Sequence, residues 1–272
     1  MKYQVFYGTL LYSYGIARQR KLLKNADRSQ SHTYTCFYRS PGQLEALIGP
    51  VMDFLNAGRK PGKLQINVFA GSEGAESYTF ASVLMHKFPG LDFHISGSDL
   101  HQSTVDISNK AVYSSEDVHR GLITKEFIAQ TFDKVGDKYQ VKPEIRKHVS
   151  FKTANLLDPK LIEQFEPADI VLAQNVFFHL NQDMAREAFR NIVRFLKPKS
   201  VLFIDGMELD MREELTVEAG VEPLEFKTKA IHDFATKLIG DKWWTYYYGM
   251  APYASWHPNR LRRYSTIFFK GK

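Results

Sequence analysis

A chain of 272 residues that is 44% hydrophobic and 24% charged has the make-up of an ordinary globular protein with one large core, or one domain and a small appendage. No window approaches the roughly 20 apolar residues of a membrane-spanning helix, and a single cysteine, Cys36, excludes an internal disulfide and a cysteine-built metal cluster. The net charge of +6 is mild, and its two basic patches, Arg18, Arg20, Lys21 and Lys24 and then Arg260, Arg262 and Arg263, read as solvated faces rather than as a binding surface.

In chain order, residues 1–60 read as a mainly helical N-terminal region. The opening "MKYQVFYGTLLYSYGIARQRKLLK" has too many Tyr and Gly residues for a signal peptide and no small-residue cleavage site, so it reads as mature protein in the cytoplasm. From residue 61 onward strand and helix alternate. "LQINVFA" (64–70) is a short apolar run that fits a buried parallel strand. Phe80, Val83, Leu84 and Phe88 recur at helical spacing until Pro89-Gly90. "DFHISGSD" (92–99), "HVSFKTANLL" (148–157) and "ADIVLAQNVFF" (168–178) are expected as the second to fourth strands. Asn181 or Asp183 then caps a helix with Ala185, Phe189, Ile192, Val193 and Leu196 on one face, which Lys197-Pro198 is expected to stop. "SVLFIDG" (200–206) is the fifth strand, and Ser265–Lys270 a last one. This alternation predicts an α/β protein, a mostly parallel twisted sheet with helices on both faces in the Rossmann-like manner, over residues 61–272. An aromatic-rich extension, about 242–264, carries "WWTYYYGMAPYASW" and is read as core packing, with a lid or a substrate-binding surface as the alternative.

Ligands of open α/β sheets bind beyond the carboxyl ends of the strands, and polar residues gather at those ends here. After strand one comes "GSEGAE" (71–76), opening a helix whose N-terminal amides can receive an anion. After strand two comes Asp99, placed to accept hydrogen bonds from a ribose diol. Asn155, with Leu156 and Leu157, follows strand three, and Asn175 and Val176 follow strand four. Each has a plainer explanation as a turn or a cap; together they outline a nucleoside-shaped crevice. A dinucleotide fingerprint wants three glycines and an acid about 20 residues on. Two glycines, Gly71 and Gly74, suit a cofactor without a pyrophosphate, of which S-adenosylmethionine is the common one.

On further residues the chain resembles the CheR-type chemotaxis receptor methyltransferases, which use S-adenosylmethionine. "TYTCFYRSPGQLEAL" (33–47) looks like that family's Thr-x-Phe-Phe-Arg segment, and "FAGSEGAESYTFA" like its Ser-Thr-Gly-Glu-Glu-Pro-Tyr-Ser loop. "SGSDLHQSTVDISNKAVY" is similar to its Thr-Asp-Ile stretch with a following Gly-x-Tyr, and "FKTANLLD" to its Asn-Leu-Leu. "ADIVLAQNVFFHLNQDMAREAFRNIVRFLKPKSVLFIDGMEL" follows its Asn-Val segment through Lys-Pro-Gly-Gly. The resemblance, over about 31–210, implies a class I methyltransferase fold and an S-adenosylmethionine-dependent methyltransferase. It implies that Thr35 and Arg39 lie near the methionine end of the cofactor, Asp99 at the ribose, Asn155 and Leu156 at the adenine, and Asn175 and Val176 near the transferred methyl. Gly71, Ser72 and Glu76 complete the expected cofactor set.

Departures accompany it. Gly74-Ala75-Glu76 stands where the family has Gly-Glu-Glu, so that Glu73 or Glu76 takes the place of a lost carboxylate. Gln174 replaces an Arg, His179 a Tyr, and Lys199-Ser200 two glycines. The stretch before residue 33 is shorter than a helical receptor-docking domain. The expected acceptor is therefore a protein side chain or a small molecule other than a chemotaxis receptor. Arg39 is expected to hold a carboxylate, and His179 to act as base for a hydroxyl or amine acceptor. Two alternatives stand beside this reading: a catalytically altered cofactor-binding sensor or scaffold, and a methyltransferase directed at nucleic acid. The acidic run "DGMELDMREE" (205–214) lacks hard-ligand spacing and reads as a solvated loop and helix start rather than as a metal site.

Overall fold

The computed structural model describes residues 14–15, 17–18, 20–21, 35–58, 62–120, 122–239 and 251–271. Trp243 to Met250 of the aromatic extension, and Lys24 of the first basic patch, lie outside the described residues. Helices α1 (Pro41–Ala46) and α2 (Met52–Asn56) are joined by a kinked π turn over Leu47–Val51 that contains Pro50. The main sheet then builds from β1 (Leu64–Val68), α3 (Ala75–Lys87), β2 (Phe93–Asp99) and α4 (Gln102–Lys110). An insertion follows: β3 (Val112–Ser114), α5 (Ser115–His119), α6 (Lys125–Thr131), β4 (Phe132–Val135) and β5 (Lys138–Val141). The chain returns through α7 (Pro143–Arg146), β6 (Val149–Thr153), β7 (Ala168–Gln174), α8 (Gln182–Val193) and β8 (Leu196–Asp205). It ends with α9 (Leu209–Glu218), β9 (Glu222–Pro223), α10 (Thr228–Ile239), α11 (Arg260–Tyr264) and β10 (Ile267–Lys270).

The main sheet has the order β6-β2-β1-β7-β8-β10-β9. Its first five strands are parallel, whereas β10 runs antiparallel to both β8 and β9. Parallel strands are covered on both faces, so they read as continuous apolar runs. Successive residues point to opposite sides: Ile170 and Leu172 of β7, with Val201 and Phe203 of β8, enter one apolar cluster, and Val171, Ala173, Leu202 and Ile204 enter the other. Helices α1 and α2 join the first cluster through Leu44, Ala46, Met52 and Leu55. The strand order reverses between β1 and β7, the switch point where ligands bind in such sheets.

Several boundaries differ from the sequence expectation. Asn181 is the N-cap of α8, accepting from the Met184 amide at 3.0 Å, but the helix stops at Val193. Pro198 sits inside β8 instead, where the pairing with β7 slips between Ala168/Leu196 and Ile170/Val201, so no ladder bond needs its missing N–H. The strand expected over 148–157 is only β6, and the one over 168–178 ends at Gln174. A separate antiparallel sheet, β3-β5-β4, was not foreseen. It rests on the main core through Tyr113, Phe132 and Val141, with Phe127 of α6 in the same cluster.

The acidic run is not a solvated loop. Asp205, Glu208 and Arg212 are buried. Arg212 reaches Asp205 Oδ1 at 3.3 Å and donates to the Ser265 carbonyl at 3.2 Å. In the basic patches Arg18, Lys21 and Arg260 are exposed as expected, but three arginines turn onto carboxylates. Arg263 contacts Asp210 and Glu213, each at 2.5 Å, Arg262 meets Glu222 at 2.6 Å, and Arg20 forks onto Glu208 at 3.0 and 2.6 Å. From the extension, Tyr253 packs on Tyr264 at 4.7 Å between ring centres, whereas Trp256 is 65% exposed. His232 is buried with Nε2 2.5 Å from the Ala251 carbonyl, and burial lowers its pKa to about 4.

Candidate functional site

The loop after β1 turns sharply because three of its residues adopt left-handed backbone: Ala70 (φ 53°), Ser72 (φ 51°) and Gly74 (φ 84°). For the two non-glycines this costs roughly 1–2 kcal/mol each. Four bonds hold the shape. The Gly71 amide donates to the Ser98 carbonyl at 2.8 Å and the Ser72 amide to Asp99 Oδ2 at 2.9 Å. Ser108 Oγ donates to the Ser72 carbonyl at 3.1 Å, and the Tyr113 hydroxyl to the Glu73 carbonyl at 2.6 Å. Both glycines answer a packing need, and Gly71 also lines the cavity. A Cβ on Gly71 would lie 3.2 Å from Val68, and one on Gly74 would lie 2.9 Å from the Phe151 ring. Both faces point into the protein.

Asp99 ends β2 and is 8% exposed. Its Oδ1 accepts from Thr104 Oγ1 at 3.1 Å and from the His101 amide at 3.2 Å, so that Oδ2, bonded to Ser72, retains a lone pair for a ligand hydroxyl. Asn155 forms an Asx turn, its Oδ1 accepting from the Leu157 amide at 3.0 Å. The plain turn-forming role is therefore real, and it leaves the side-chain NH₂ as donor. Asn175 sits at the end of β7 with φ 55°, its amide bonded to the Asp205 carbonyl at 3.0 Å. His179 ends a single 3₁₀ turn, Phe177–His179. On the N-terminal side, Tyr38 (φ 55°) bends the chain before Arg39, and its amide donates to Thr79 Oγ1 on α3 at 3.2 Å.

Eleven residues singled out from the sequence line one cavity of about 180 Å³: Thr35 and Arg39, then Gly71, Ser72 and Glu76, then Asp99, Asn155 and Leu156, and finally Asn175, Val176 and His179; Glu73 and Gly74 are not in its wall. The loops of four strand ends and the segment before α1 meet there. Sequence reading missed Thr79 and Phe80, which share the wall with Glu76. Their i+3 and i+4 spacing from Glu76 on α3 puts them on the same helix face. It also missed Gln43, buried beside the cavity with Nε2 on Thr266 Oγ1 at 2.8 Å; that partner lies 223 residues away, beyond any local signal.

Two features of the wall favour a polar, cationic ligand. Ser72 Oγ and Asn175 Oδ1 are buried with no protein hydrogen-bond partner, an arrangement that a ligand's own donors and acceptors would satisfy. Burial raises the Glu76 carboxyl to about 7, with Arg39 pulling the value down and Asp205 pushing it up. A cationic ligand beside Glu76 reverses that burden. These groups fit the ribose, ammonium and sulfonium of S-adenosylmethionine. Among the described residues no grouping of His, Cys, Asp and Glu is fit to hold a metal ion, and no helix is long and apolar enough to cross a membrane.

The strand order and the antiparallel final strand define the Rossmann-like class I methyltransferase fold, with a polar pocket at its switch point. The chain belongs to the CheR family: residues 33–219 match the family described as "CheR methyltransferase, SAM binding domain". One relative, "Probable biofilm formation methyltransferase WspC" of Pseudomonas putida, is 29% identical over 194 residues, 70% of this chain and 44% of that protein. "Chemotaxis protein methyltransferase 2" of Vibrio cholerae is 26% identical over 179 residues, 64% of this chain and 61% of its own. The chain thus spans about half the length of the curated relatives it matches. Among solved structures, the magnesium protoporphyrin IX methyltransferase of Synechocystis PCC 6803 overlaps 80% of this chain and 88% of its own at 14% identity and a TM-score of 0.40, which adds nothing to what the strand order says.

Proposed function

We propose that the chain binds S-adenosylmethionine in this cavity and transfers its methyl group to a side-chain carboxylate of a protein. The observation that supports this most directly is the convergence of four strand-end loops and the Thr35–Arg39 segment on one pocket whose Ser72 and Asn175 oxygens are buried without protein partners. The cofactor brings an already activated methyl, bonded to a positively charged sulfur, so that the protein's contribution is alignment and exclusion of water.

In this reading Asp99 accepts from the ribose hydroxyls, and Asn155 and Leu156 flank the adenine. Glu76, once ionised, pairs with the ammonium, beside Thr35 and the Gly71–Ser72 backbone. Asn175 and Val176 lie near the methyl, the valine keeping water from the line of attack. Arg39 presents a guanidinium fork to the acceptor carboxylate. A carboxylate is ionised at neutral pH and needs no base, which leaves His179 as a wall of the mouth; a hydroxyl or amine acceptor would give it the role of base. The names of the relatives weigh toward a protein acceptor, and receptors of the chemotaxis type belong among the candidates to be assayed.

Calorimetric titration with S-adenosylmethionine and S-adenosylhomocysteine tests the reading. Micromolar affinity for both is expected, weakened at least about 100-fold by Asp99→Ala, which removes a charged acceptor and one clamp of the loop together. A wild-type protein that binds neither compound overturns the proposal and leaves a scaffold in its place.

A further inference from the structure

The glycine loop and the Thr35–Arg39 segment are far apart in sequence, and a side chain from the unexpected small sheet touches both. Tyr113 lies on β3 and is 3% exposed. Its hydroxyl donates to the Glu73 carbonyl at 2.6 Å, between the left-handed Ser72 and Gly74. Its ring meets Phe37 edge-on, 4.9 Å between centres and at 86°, and Phe37 is gripped from another side by Phe132 of β4 at 5.0 Å. Phe37 stands two residues after Thr35 and two before Arg39. The other three clamps on the loop, from Ser98, Asp99 and Ser108, come from β2 and α4.

We propose that Tyr113 is a positioning residue for cofactor binding, its hydroxyl fixing the glycine loop and its ring fixing Phe37, so that one side chain of the small sheet sets the spacing of two chain segments that wall the cavity. Burial keeps the phenol protonated well above its ordinary range, so the donor role holds throughout the working pH. The consequence is mechanical. Without the hydroxyl, the Glu73 carbonyl loses its partner, and the strained turn at Ser72 relaxes away from the geometry that places Gly71 and Ser72 in the cavity wall. Without the ring, Phe37 and the Thr35–Arg39 segment lose their support as well.

This inference rests on the cavity being the S-adenosylmethionine site, and the test separates the two. Tyr113→Phe keeps the ring and deletes only the hydroxyl; Tyr113→Leu removes both. Kd for S-adenosylhomocysteine is read by calorimetry at a temperature well below each variant's melting point, and amide exchange is followed over residues 70–78. For Tyr113→Phe a rise in Kd of roughly three- to tenfold is expected, the scale of one lost hydrogen bond, together with faster exchange confined to that loop. Tyr113→Leu is expected to raise Kd further. A role in stability alone lowers the melting temperature of Tyr113→Phe but leaves Kd and loop exchange unchanged, and that result overturns the inference while the functional reading stands. A wild-type protein that does not bind the compound overturns both.

Discussion

The two ends of the sheet treat polar groups in opposite ways. At the carboxyl ends of β1 and β7, Ser72 Oγ and Asn175 Oδ1 are buried without protein partners, and Ala70, Ser72 and Asn175 adopt left-handed backbone. Along the antiparallel edge the charges close on one another. Arg263 bridges Asp210 and Glu213, Arg262 binds Glu222 and the Val221 carbonyl, and the fully buried Arg212 meets Asp205. Backbone strain concentrates where a ligand can bind, and paired charges hold the architecture. The difference tells a binding surface from a structural one within a single chain.

Breaking the structural side should give the largest effect. Arg212→Ala leaves the buried Asp205 carboxylate without its cationic partner, with only the Gly206 amide among the described residues to donate to it, and removes a donor to the Ser265 carbonyl, so a loss of about 3–5 kcal/mol is expected in urea unfolding. Next comes pH. Folded Glu76 titrates near 7, above the usual 4.5 of an unfolded carboxyl, so its share of stability is complete below about pH 4.5 and is lost as pH rises through 7. Affinity for a cationic cofactor must run the other way, strengthening by roughly three- to tenfold from pH 6 to 8. Glu76→Gln should flatten both trends, and trends that persist in it would place the titrating group elsewhere. The smallest effect sharpens the contrast most. Ser72→Ala removes an unpartnered hydroxyl, so stability should change by less than about 0.5 kcal/mol or increase, while the Kd for S-adenosylmethionine rises a few fold. Equal loss of stability and affinity would mean that Ser72 is structural like the rest.

Much of this was legible in the chain. The apolar runs of β1, β7 and β8 and the face of α8 announce themselves because parallel strands and amphipathic helices obey simple periods. The strand-end residues could be named because topology alone sends them to one crevice. The small sheet could not. Its strands "FDKV" and "KYQV" are four residues each with one buried position apiece, so no apolar pattern marks them, and β9 has two residues. The inward turn of Arg262 and Arg263 depends on partners 40 to 53 positions away, and a basic run looks the same whether solvated or paired. Pro198 was misread as a helix stop because a bulge that tolerates proline leaves no local signature. Gly74 reads from the sequence as a ligand-side residue because sequence does not show that Phe151 fills the space beside it.

The place of β10 has a consequence for how the protein is made. It lies between β8 and β9 although β9 precedes it in the chain, so the edge of β8 stays open until Ile267–Lys270 has been synthesised. Gln43 beside the cavity also waits, since its partner is Thr266, and so does Phe54, stacked on Phe269 at 4.3 Å. At about 5–20 residues per second on the ribosome, the interval between Pro223 and Ile267 is roughly two to nine seconds. During that time an unpaired strand edge is available to a chaperone or to another nascent chain. The cavity wall that is translated first is therefore among the last to be anchored.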